Sequence, residues 1–344
     1  MEMKTVDSST PPAPHASRAM ILAAFAAIYL IWGSTYLAIK VAIETVPPFL
    51  MTGVRFLIAG SVLYAWSVLR PSRETPASER VRPSTLESWR DAFVVGALLI
   101  VGGTSLVGWA ELSVPSGITS LILATTPLWM VLLDGASSRR VPSARVLVGV
   151  LVGLGGLAIL IGPSLLSPGE GVNLLGAGAL VLASLTWTTG ALYSRRLPQV
   201  GSAARMTGMQ MIAGALLSIL IGIAIGELDR FSFANITTTS VIAVSYLVIA
   251  GALVGFSAYL WLMRVSAPSR VATHAYVNPI VAVLLGWAVL GETVTMRTGA
   301  AMAVIVAAVV LIVSTPAPSA TPAKGNGMFR MTARRWRRLT QRAA

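Results

Sequence analysis

The sequence has no cysteine and only two histidines, His15 and His274. That excludes disulfides, thiolate nucleophiles, Cys-ligated zinc and iron–sulfur clusters, and two histidines do not make a histidine metal cluster. Charge is equally scarce. Asp, Glu, Lys and Arg make up 11% of 344 residues, against roughly a quarter in an average soluble protein. So few charges do not cover a water-facing surface. Hydrophobic residues reach 55%, mean hydropathy is +0.76, and long apolar runs recur from Met20 to Val313. An excess spread along the whole chain is not one buried core; it implies lipid as the solvent. The net charge of +13 does not point to nucleic acid, which requires a basic face on a soluble domain; here the bases sit between apolar segments.

Catalytic signatures are missing too. There is no HExxH pair, no P-loop lysine motif and no nucleotide-binding module to supply ATP drive. Residues 153–158 (GLGGLA) mimic a dinucleotide fingerprint but lie inside an apolar run with no strand before them. Rings of like charge or a filter-like loop, the marks of a pore, are not visible. No enzyme activity, metal or cofactor is expected.

Segments of about 20 apolar residues match the hydrocarbon thickness at about 1.5 Å rise per residue. Ten fit: 20–41, 49–69, 92–110, 117–133, 146–161, 174–194, 206–225, 240–263, 271–290 and 299–314. Helix is required because lipid offers no partner for unpaired backbone groups, and barrel-strand alternation is missing. The first run reads as a helix rather than a cleaved signal: it is longer than an h-region and no A-x-A site closes it before Lys40. With the N-terminus inside, all 26 bases except Lys40, Arg55, Arg230 and Arg297 fall on the inner side. The positive-inside rule therefore orients both termini inward.

The chain repeats itself. WGSTYLAIK (32–40) and GVRFLIAG (53–60) face WTTGALYSR (187–195) and GMQMIAG (208–214), so that Trp32/Trp187, Lys40/Arg195 and Gly53/Gly208 share one offset. VPSGITS (114–120) then faces APSRVAT (267–273), and Pro127 faces Pro279. Two five-helix units result, and because five is odd the second crosses the membrane in the opposite sense. The fold class is thus an all-α integral membrane protein of ten transmembrane helices in two inverted five-helix repeats. The expected boundaries are a disordered tail at 1–18, repeats at 19–163 and 172–315, and a basic cytoplasmic tail at 316–344.

The strings IYLIWGSTYLAIK, PPFLMTGVRFLIAG, VPSGITSLILATTPLW and HAYVNPIVAVLLGWAVLGE resemble the EamA-type drug/metabolite transporter superfamily, most of all its YedA-like exporters. The resemblance covers roughly residues 20–313. It implies ten helices around a central cavity, alternating access, and export of amino acids, metabolites or drugs from a bacterial inner membrane.

The site is expected at the midplane between the repeats. Tyr29, Trp32 and Tyr36 share one helical face, and Trp187 is the repeat partner of Trp32. These aromatics suit either a planar or cationic substrate or plain helix packing. Membrane-embedded charges usually face protein or water. Arg55 reads as a substrate-carboxylate contact or as a partner of Glu44. Glu111 reads as an outer-gate acid, a cation-attracting group, a proton carrier or a solvated helix end, and Asp134 as a solvated inner charge. His274 suits proton coupling or a structural hydrogen bond. Tyr276 and Asn278 precede Pro279, whose ring frees one backbone carbonyl for Asn278, water or substrate. Pro127 and Pro279 are the expected hinges. Small-residue pairs at 149/153, 222/226 and 251/255 permit close helix contact within the monomer or across a homodimer. The tail at 328–342 mixes Arg with Phe329, Trp336 and Leu339, which suits anionic lipid. The expected partners are thus a small-molecule solute and the bilayer. The alternative functions are translocation of a lipid-linked or nucleotide sugar, or a receptor without transport.

Overall fold

The structure, a computed structural model, is described for residues 17–69, 85–138, 143–166, 172–194, 197, 202–266, 271 and 274–314. Chain contacts divide the protein into two units, 1–313 and 314–344, and every described helix belongs to the first. The expected lipid contact of the basic tail, the bases at 70–84, 139–142 and 195–196, and the side chains of Asp134, Arg264 and Tyr276 lie outside the described residues.

Every regular element among the described residues is helical. In chain order they are α1 (Arg18–Ala42), α2 (Pro48–Leu69), α3 (Thr85–Gly96), a π segment π1 (Ala97–Ser105), α4 (Leu106–Ala110), α5 (Ser116–Leu123), α6 (Thr126–Ser138), α7 (Ala144–Leu166), α8 (Leu174–Ser194) and α9 (Ala203–Ala224). Next come the short α10 (Glu227–Arg230), a 3-10 turn (Phe233–Asn235), α11 (Thr238–Tyr246), a second π segment π2 (Leu247–Gly255), α12 (Phe256–Val265), α13 (His274–Leu290) and α14 (Met296–Val313). Among the described residues, seven helical stretches are long and apolar enough to cross a membrane, and three shorter apolar helices accompany them. Large apolar side chains such as Leu22, Leu151, Leu175 and Ile242 are exposed, as lipid-facing residues must be.

Two expected spans differ in detail. The third begins earlier, at Leu86, and runs through α3, π1 and α4 to Ala110. The fourth is two helices, broken at Ala124 and Thr125. Pro127 is the second residue of the new helix α6, where its missing N–H would have had no intrahelical partner. It therefore begins a helix instead of kinking one, whereas Pro279 does lie inside α13.

The π segments carry their own signature. Thr104 Oγ1 and Ser105 Oγ donate to the carbonyls of Leu99 and Ile100, both at 3.2 Å and both five residues back. This is the reach of the wider π turn. Ser105 Oγ also pairs with Ser218 Oγ at 2.8 Å, and Ser218 Oγ donates to Phe49 O at 2.8 Å. Hydroxyls thereby tie π1, α9 and α2 together in a dry interior.

The main packing joins residues before Leu166 to residues after Leu174. α2 lies along α9, α7 along α14, and α1 against α13. α1 also packs on α11, π2 and α12, as α8 packs on α3, π1 and α4. The largest core runs through Ile39, Met51, Val107, Leu121, Leu128, Leu180, Leu247 and Ile305. The glycines of the small-residue pairs are used inside the chain. Gly149 faces Ile312, Gly153 faces Leu128, Gly222 faces Leu50 and Glu227, and Gly251 and Gly255 face α1 and α2.

Candidate functional site

Helix N-termini leave backbone N–H groups that need acceptors. Several helices here use a local one: Ser17, Asn173, Ser202 and Thr237 each accept from the N–H three residues on. α2 and α5 cannot, because prolines, Pro47 and Pro115, precede them. Distant carboxylates fill the gap. Glu227 accepts from Phe49 N at 3.2 Å and Leu50 N at 2.9 Å. Glu292 accepts from Ser116 N at 2.7 Å and Gly117 N at 3.0 Å. Each Glu follows a glycine in the left-handed region, Gly226 at φ 77° and Gly291 at φ 66°, which an L side chain rarely adopts. A Gly–Glu pair closing an apolar run was the signal in the sequence, and charge counting alone missed it.

Apart from these clips, α1, α12 and α13 form an aromatic cluster. Trp32 on α1 stands 5.1 Å from Tyr259 and 6.0 Å from Phe256, both on α12, and 5.2 Å from His274, which opens α13. Tyr259 and His274 are 5.9 Å apart, edge to face. Trp32 Nε1 donates to Gly251 O at 3.4 Å, and a β-carbon on Gly255 would come within 2.6 Å of that nitrogen. Trp187 is seated in the same manner elsewhere: a β-carbon on Gly103 of π1 would come within 2.9 Å of its Cε3. Each tryptophan thus rests on a π-segment glycine from the other part of the chain. No ring contact joins Trp32 to Trp187 among the described residues, and the two occupy separate seats.

His274 Nδ1 meets Val271 O at 2.9 Å. Asn278 is buried, and its amide, turned to donate, reaches Tyr29 O at 3.3 Å and His274 O at 3.1 Å. It thereby ties α13 to α1. Tyr246 and Tyr259 are additions that repeat matching did not supply; Tyr246 OH pairs with Ser34 Oγ at 2.6 Å.

The expected pairing of Arg55 with Glu44 does not form. Glu44 is exposed, and Arg55 is 6% exposed, its guanidinium 4.7 Å from the Phe56 ring centroid and beside Gly251. Its Nε and Nη1 meet no hydrogen-bond partner. Glu111 is likewise no solvated helix end: it is 0% exposed. Lys40 Nζ donates to the Glu111 backbone carbonyl, and Tyr36 lies within electrostatic range of the Glu111 carboxyl. The structure therefore brings Trp32 and His274 together and, separately, Tyr36, Lys40 and Glu111.

The sequence matches the EamA-like transporter family twice, over residues 18–162 and 174–314. The chain belongs to that family. YedA, an inner membrane transporter of Escherichia coli, is 36% identical to this EamA protein over 301 residues, covering 85% of this chain and 90% of YedA. A Salmonella typhimurium protein named "Probable amino-acid metabolite efflux pump" is 23% identical over 275 residues, 78% of this chain and 86% of its own. A protein of known crystal structure at 22% identity superposes with a TM-score of 0.58, over 86% of this chain and 98% of its own, which shows a common fold. Family membership makes this EamA protein a multi-pass membrane transporter rather than an enzyme, and its apolar helices agree with that.

Proposed function

We propose that this EamA protein is a secondary active transporter of the bacterial inner membrane, exporting small amino-acid-like metabolites or drug-like solutes by alternating access. The observation that carries this reading is the reciprocal seating of Trp32 on Gly255 and Trp187 on Gly103. Two units that exchange the same contact can exchange conformations, which opens one midplane site to either side in turn. The seven long and three shorter apolar helices supply ten crossings, in repeats spanning 19–163 and 172–315, with both termini inside. The matching placement of π1 and π2 supports the duplication, and the family match falls on the same two segments.

In this reading Trp32, Tyr259 and His274 offer aromatic faces to the solute. Arg55, buried and without a carboxylate partner, receives an anionic group. Tyr36, Glu111 and Asn278 line the path, and the break before Pro127 and the interior Pro279 are the bending points. Outward direction draws support from the efflux role in the Salmonella relative's name. The test is a solute panel scored for accumulation and resistance in cells overproducing the protein. One chemical class should accumulate less, and the Trp32→Ala variant should shrink the difference while remaining in the membrane. A panel in which no solute responds sinks the proposal.

A further inference from the structure

Glu111, directly after α4, is fully buried, and neither of its carboxyl oxygens meets a hydrogen-bond partner. An ionised carboxyl held so is among the costliest arrangements a fold can contain. Its neighbours relieve it only in part: burial outweighs the attraction of the Lys40 ammonium, and Glu292 opposes it. Lys40 of α1 donates to the backbone carbonyl of Glu111, and no ion pair joins the two side chains among the described residues. Glu292, from the α13–α14 connection, lies within electrostatic range, and both its oxygens are already taken by the first N–H groups of α5. The hydroxyls of Ser116 and Thr119, in the first turns of α5, are also fully buried and unpartnered. Gly286 of α13 lies against both Glu292 and Ser116 Oγ, so these two share a corner where α5 meets α13, with Glu111 within electrostatic range and Thr119 one turn along α5 from Ser116.

The other charged or titratable groups around Glu111 are few. Tyr36 and Lys40 come from α1. Arg55, the charged residue of α2, packs instead on Phe56 and Gly251. α5 carries no titratable residue, and α8 carries only Tyr193, near its far end.

We propose that Glu111, Glu292, Ser116 and Thr119 form the binding site for a coupling proton, with Glu111 as the acceptor and Glu292 as the link to the closure of α5. A proton needs one oxygen. A metal cation needs a full oxygen shell and would share this corner with the Lys40 ammonium. While Glu111 carries the proton, Glu292 keeps its clip on α5 without a like charge beside it. When the corner opens, the Glu111 O–H bond breaks, water takes the proton as hydronium, and the carboxylate left behind faces Lys40 and repels Glu292. Proton loss and release of the α5 N-terminus are thereby coupled. The proposal rests on the transporter reading for its purpose, but the site itself is testable without a substrate.

The full chain is reconstituted in phosphatidylethanolamine/phosphatidylglycerol vesicles, and infrared difference spectra are recorded between acidic and alkaline buffer. A reversible protonated-carboxyl band is expected, lost in Glu111→Gln and kept in Glu227→Gln. In Glu292→Gln its midpoint should fall by about one to two pH units, because the neighbouring negative charge is gone. If Glu111→Gln does not fold, Thr119→Val should still move the midpoint. A band that survives Glu111→Gln, midpoints unmoved in Glu292→Gln or Thr119→Val, or a band shifted by sodium at constant pH overturns the proposal. Solute flux indifferent to a pH gradient removes the coupling and leaves the transporter reading intact; absence of flux for every solute removes that reading and leaves the spectra standing.

Discussion

Gly96 sits where α3 crosses α9. A β-carbon there would lie 2.6 Å from Gln210 O, 2.6 Å from Gly214 N and 2.9 Å from Gly214 Cα. All three are backbone atoms of a helix, so no rotamer change makes room. Comfortable carbon contacts lie at about 3.5–4.0 Å, so Gly96→Ala must push the helices apart by about 1 Å along their crossing. Overpacking of this kind costs about 1–3 kcal/mol. The intrinsic gain of Ala over Gly in a helix, about 1 kcal/mol, offsets part of it, and a net loss of about 0–2 kcal/mol follows. Gly155 is the control, because a β-carbon there meets nothing within 4 Å. Gly155→Ala keeps the gain without the clash and should be neutral or stabilising. Thermal aggregation of both variants in detergent, followed by size-exclusion fluorescence, reads the difference directly. Equal midpoints for Gly96→Ala and Gly155→Ala would refute the backbone-to-backbone crossing and the interlocking of the chain's two parts built on it.

Trp32→Ala and Trp187→Ala should each weaken solute handling by about two- to tenfold, in line with aromatic contacts of about 0.5–1.5 kcal/mol each, with unchanged amounts of folded protein; unaltered transport in both returns these residues to packing alone. Glu227→Ala strips Phe49 N and Leu50 N of their acceptor and should cost about 1–3 kcal/mol, while Glu227→Gln, which keeps an acceptor oxygen, should cost less; detergent melting curves compare them. Asn278→Leu unties Tyr29 O from His274 O and should loosen the α1–α13 contact, seen as faster amide exchange at the start of α13 with α7 and α14 unaffected.

The candidate site was only partly legible in the sequence. Trp32, His274 and Asn278 were identifiable because each is a polar or aromatic group in an apolar run, and they do meet. Glu111 read equally well as a solvated end, since helix-end carboxylates look alike until the neighbouring helix is known. Glu227 and Glu292 carry no local mark of a partner in the sequence beyond the glycine before each. Their role depends on two prolines, at positions 47 and 115, far away in the chain, and only packing brings donor and acceptor together.

Lipid solvation, helical secondary structure and the approximate spans were determined by the sequence itself, because hydropathy is a sum over neighbours along the chain and lipid forbids unpaired backbone. Tertiary structure alone decided which glycine receives which tryptophan, where the helices widen into π turns, and which carboxylates are clipped and which is stranded. Those outcomes depend on close contacts between segments more than a hundred residues apart, such as Glu227 with Leu50 or Glu292 with Ser116, and no local pattern encodes the meeting of two surfaces.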